Sequence, residues 1–89
     1  MPEYDPPVNA HYTELDVSKY PEGFMWKAIG KEGRNFYNIT DWLNLKYLWY
    51  DEKRNVVELW GPYESLRTGA REKVSQVLKM YEQLYVARG

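Results

Sequence analysis

The sequence has no cysteine and a single histidine, His11. Disulfides and thiolate metal ligation are therefore excluded, and one imidazole without a neighbouring ligand set does not make a metal centre. A reducing, intracellular setting, cytoplasmic or nuclear, is expected. The same scarcity leaves no nucleophile–histidine–carboxylate arrangement, and His11, Asp41 and Glu82 suggest no acid/base pair, so neither an enzyme nor a cofactor is expected. Long apolar runs are missing too. Nothing approaches the roughly 18 residues of a membrane span, and the opening "MPEYDPPVNA" has neither the basic start nor the apolar segment of a signal peptide. No membrane partner is expected. Asn38-Ile39-Thr40 matches a glycosylation acceptor, but that reading requires secretion and is set aside.

What is abundant is aromatic side chain. Of 89 residues 44% are hydrophobic and 17% aromatic, with four Trp and nine Tyr, too apolar a composition for a disordered chain. A chain of this length has room for one domain and buries about 60 to 65% of its unfolded surface. The net charge of −1 hides an asymmetry. Residues 1–25 carry Glu3, Asp5, Glu14, Asp16 and Glu22 against Lys19, a net of −4, whereas the remainder carries eleven bases and eight acids, a net of +3. A mildly basic body with an acidic leader permits a nucleic-acid partner without requiring one.

Along the chain, three prolines in residues 1–10 predict an extended, flexible tail over 1–11, followed by one domain over 12–89. In "YTELDVS" (12–18), Leu15 and Val17 alternate with polar residues, as in a strand with one buried face. "YPEGFMWKAIG" predicts a short helix with Pro21 in its first turn and Gly30 as its stop. Phe36, Ile39 and Leu43 fall on one face of a second helix. "LKYLWY" and "NVVELW" flank the polar turn "DEKR" and predict paired strands, with Leu45, Tyr47 and Trp49 on one face and Val57 and Leu59 inward on the partner. Leu66, Ala70, Val74, Val77, Leu78, Tyr81 and Tyr85 trace the stripe of a long last helix. The order describes an α+β domain, a three-stranded antiparallel sheet covered on one face by three helices.

The stretch "IGKEGRNFYNI" (29–39) puts two glycines three apart between the short helices. Alone, Gly-x-x-Gly is a weak signal. Its setting is more specific: Ile29 stands directly before the loop, Phe36 and Ile39 follow at fixed offsets, and then come Leu45-Lys46-Tyr47 and Val57-Glu58-Leu59-Trp60-Gly61. Over roughly residues 12–84 this arrangement resembles the type I K homology (KH) domain, in which β-α-α-β-β-α elements flank an "IGxxGxxIxxI" loop. The resemblance implies binding of single-stranded RNA or DNA, with the sugar-phosphate chain running close over a backbone that carries no Cβ. It implies a groove built from Trp26, Lys27, Ile29, Phe36, Ile39, Leu45 and Lys46. Gly30, Lys31, Glu32, Gly33 and Arg34 would lie against the phosphates.

A second reading stands beside this one. Glu32 puts a carboxylate where phosphate should pass, and Trp26 stands where the resembling domains have a small residue, so the fold could serve instead as a protein-interaction or homodimerisation module with little nucleic-acid binding. Its interface would be an open sheet face carrying Leu48, Tyr50 and Trp60. Trp49 is expected in the core and Trp42 in helix packing. Lys53 and Arg54 are expected in a solvated turn, and Arg67, Arg71, Lys73 and Lys79 on the wet side of the last helix.

Overall fold

The computed structural model describes residues 3–87. Residues 1, 2, 88 and 89, the outer ends of the expected tail and domain, lie outside them. Strand β1 (His11–Asp16) leads to helix α1 (Phe24–Ile29), a single 3₁₀ turn (Lys31–Gly33), helix α2 (Arg34–Trp42), strands β2 (Tyr47–Asp51) and β3 (Val56–Gly61), and helix α3 (Glu64–Ala87). The sheet is antiparallel in the order β1-β3-β2, so the last strand in sequence is the central one and β2 is an edge. The fold is the expected α+β arrangement.

Local chemistry explains most boundaries. Gly23 adopts a left-handed conformation (φ 82°), and the Phe24 amide donates to Pro21 O at 3.1 Å, so a turn precedes α1 and Pro21 lies outside the helix rather than in its first turn. Gly30 ends α1 after six residues. Asn44, at φ 58°, supplies the left-handed residue that follows α2. Helix α3 turns Ala70, Val74 and Leu78 inward against β1 and β3, where they meet Val57, Leu59 and Phe24 in one core. At its first turn the helix buries Arg67 as well. Its Nε donates to Thr13 Oγ1 and an Nη donates to Gly61 O, so this residue is not on the wet side. Trp42 is 58% exposed at the end of α2 and takes no part in helix packing.

The faces of β2 are reversed from expectation. Leu48 and Tyr50 are both only 8% exposed and lie opposite Leu59 and Val57 on the helix-covered face. The expected open patch of Leu48, Tyr50 and Trp60 therefore does not exist; of the three, only Trp60 points outward. Trp49 is not a core residue. It shares the outer face with Tyr47, Glu58 and Trp60.

Part of that outer face is covered by the chain's own beginning. Tyr4 packs its ring 4.9 Å from Trp49 and 6.2 Å from Tyr47, and donates its hydroxyl hydrogen to Glu58 Oε1 at 2.7 Å. The amide of Asp5 donates to Tyr47 Oη at 2.9 Å. Tyr4 and Asp5 thus strap part of the sheet's outer face, and β1 opens at His11, inside the expected tail. Beneath the strap Glu58 is buried, accepts from Trp60 Nε1 at 3.1 Å and lies 3.8 Å from Arg54, which also pairs with Glu14. Among the described residues no helix is long and apolar enough to cross a membrane.

Candidate nucleic-acid interface

The glycine loop is a tight bend whose geometry requires both glycines. Gly30 has φ 84° and ψ 167°, a conformation that glycine alone adopts freely, and Gly33 has φ 78°. Space reinforces the dihedrals. A Cβ at Gly30 would come within 2.9 Å of Asn35 Nδ2, whose hydrogen bond to Ala28 O at 3.2 Å ties the start of α2 to the end of α1. At Gly33 it would press on the Tyr37 ring at 3.3 Å.

Between the glycines the loop presents main chain outward. The Gly30 amide donates to Trp26 O, that of Gly33 to Gly30 O, and that of Arg34 to Lys31 O. Lys31 and Glu32 lie within this turn, between the two glycines. Glu32 itself sits at φ 57°, and its side chain, like those of Lys31 and Arg34, is exposed. The bend leads directly into α2, whose N-terminal end carries the positive end of the helix dipole. Among the described residues Lys31, Arg34 and Lys46 form no ion pair.

Beside the loop a narrow cleft of about 70 Å³ separates α2 from the edge strand. Ile29, Gly33, Phe36, Tyr37 and Thr40 form one wall. Lys46, Tyr47, Leu48, Trp49 and Tyr50 form the other, and the backbone groups of alternate β2 residues point into it because β2 has a sheet neighbour on one side only. The walls are mostly apolar. Burial pushes the hydroxyls of Tyr47 and Tyr50 above their ordinary range, in Tyr50 with help from the charges of Glu52 and Asp51 and in Tyr47 against the Asp5 amide bond. Both stay neutral at physiological pH.

Of the residues assigned to the nucleic-acid site from the sequence, Ile29, Gly33, Phe36 and Lys46 meet in this cleft, while Gly30, Lys31, Glu32 and Arg34 are chain neighbours of Ile29 and Gly33 that do not line it. Four others lie elsewhere. Lys27 turns away, its ammonium 4.9 Å from the Tyr85 ring between α1 and α3. Leu45 and Ile39 are core residues. Trp26, 42% exposed, stands beyond the end of the cleft, where its indole donates to Glu52 Oε2 at 2.9 Å and meets Tyr50 edge-on at 5.3 Å. The indole does not plug the cleft.

Sequence reasoning missed Tyr37, Thr40, Tyr47 and Trp49 as wall residues, and it had given two further wall residues, Leu48 and Tyr50, to a protein interface. Tyr37 was within reach, since four residues after Gly33 is one helical turn, which brings its side chain back over the loop. Compared with models of protein families, with curated proteins and with solved structures, the chain has no match.

Proposed function

We propose that this protein binds single-stranded nucleic acid, RNA or DNA, in a KH-like manner, with the sugar-phosphate chain across the loop 30–33 and the bases along the cleft between α2 and β2. One observation carries this reading: an open, mostly apolar cleft is lined by Gly33 of the tight two-glycine bend, and the exposed Lys31, Arg34 and Lys46 form no ion pair among the described residues. Phosphates are met by backbone N–H and basic side chains, while flat bases favour apolar walls and the free polar edge of a strand. Glu32 opposes the polyanion and keeps affinity modest. The protein-interaction reading loses the surface assigned to it, because Leu48 and Tyr50 are interior.

Titration of the isotope-labelled protein with short random-sequence single strands tests the proposal. Amide shifts should gather at residues 29–37 and 46–50. They should vanish when Lys31→Asp and Glu32→Asp are combined. Shifts confined to α3 or to the outer sheet face would refute it.

A further inference from the structure

Resting on that reading, we infer that Tyr37 and Tyr47 form an aromatic clamp that takes one base of the bound strand between the two lips of the cleft. Tyr37 rises from the first turns of α2 and is 56% exposed, although it borders the cleft. Its ring lies against Gly33, so it stands one residue's width from the main chain that would meet the phosphate. A nucleotide anchored at the loop must project its base across this ring. Tyr47 faces it from β2, and both rings border the widening of the cleft at its mouth, together with Glu3, Tyr4 and Asp5 of the strap.

The two lips are held differently. Tyr47 is held: its hydroxyl accepts from the Asp5 amide at 2.9 Å, its ring runs nearly parallel to Trp49 at 6.2 Å and 8°, and Tyr4 packs against it at 6.2 Å. Tyr37 is 56% exposed and makes no side-chain hydrogen bond among the described residues, so no such bond has to break for its ring to meet a base. The cleft interior, about 70 Å³, admits the edge of a flat ring, while the tyrosine faces cover the remainder at the mouth. Such stacking tolerates any base, because every base has a π-face. The clamp therefore selects single strands with accessible bases rather than a sequence.

The test compares a short single-stranded oligothymidylate with an abasic strand of the same length, titrated into the full chain. Stacking on one aromatic side chain corresponds to a loss of about 5-fold or more when it is removed. Tyr37→Ala should weaken binding of oligothymidylate by at least that factor and leave the abasic strand unchanged, while Tyr37→Phe and Tyr37→Trp should bind like the wild type. Because Tyr37 is a surface residue, circular dichroism of the variant should be unaltered. Equal affinity of wild type and Tyr37→Ala for oligothymidylate, with binding still abolished by the paired Lys31→Asp and Glu32→Asp changes, would overturn the clamp and leave the nucleic-acid reading standing. Binding of neither strand by the wild type would overturn both.

Discussion

The amide of Lys46 donates to the carbonyl oxygen of Trp60 at 2.8 Å, although the residue paired with Trp60 in the ladder is Tyr47. Two residues of one strand thus oppose one of its neighbour, a β-bulge at the entrance to β2. The extra residue shifts the side-chain parity. Leu45 and Leu48, an odd number of positions apart, both point into the core, followed by Tyr50, while Tyr47 and Trp49 are turned out to the strap and the cleft.

The reversal predicts an order of stabilities. Leu48→Ala should cost about 2 to 5 kcal/mol, the usual range for emptying a buried leucine site. Trp49→Ala, on the half-covered outer face, should cost less despite removing a larger side chain. Urea denaturation of the two variants checks the order, and the reverse result would contradict the register.

In the loop, Gly30→Ala should be more damaging than Gly33→Ala. Both force a side chain into positive φ, at a cost of about 1 to 3 kcal/mol, but at Gly30 the new Cβ also meets the Asn35 amide group at 2.9 Å and breaks its bond to Ala28 O. At Gly33 it meets only the rim of the Tyr37 ring. Thermal denaturation ranks them, and an additional Asn35→Ala change should recover part of the Gly30→Ala loss.

Replacing the opposing carboxylate should strengthen binding. Glu32→Lys removes repulsion and adds a cation next to Lys31 on the exposed bend, so the affinity for single strands should rise. If the new lysine reaches a phosphate, the plot of log affinity against log salt should steepen by about 0.7. An unchanged slope with unchanged affinity would place the phosphates elsewhere.

The strap should release in alkali. The Tyr4 hydroxyl is pushed from 10.0 up to about 12, first by partial burial and then by its hydrogen bond to Glu58 and that group's charge. The folded chain holds this proton more tightly than the unfolded one. The contribution is therefore complete below pH 10.0 and is lost as pH rises through about 12. Tryptophan fluorescence followed against pH should change in that window through Trp49, and Tyr4→Phe, which has no proton to lose, should abolish the change.

Much of this molecule is written in local patterns. The stripe from Leu66 to Tyr85, the stop at Gly30, the bend at Gly33 and the β-rich stretches around "DEKR" each reflect a preference of a few neighbouring residues, set by side-chain period and by the dihedral freedom of glycine, and they suffice for the element order and the α+β class. The loop half of the cleft was visible for the same reason: Ile29, Gly33 and Phe36 keep fixed offsets within one turn of chain. Of the strand half, only Lys46 was. Whether Leu48 or Trp49 faces inward depends on a bulge opposite Trp60, and whether the outer sheet face is open depends on Tyr4 reaching Glu58 across 54 positions of sequence. Period-two alternation carries no information about where a partner strand inserts an extra residue, and prolines near a chain start do not reveal what they lie upon. Sequence alone determined which elements form and where the bare bend falls; tertiary structure alone decided which aromatic rings line the cleft, because that choice is made by packing between segments distant in the chain.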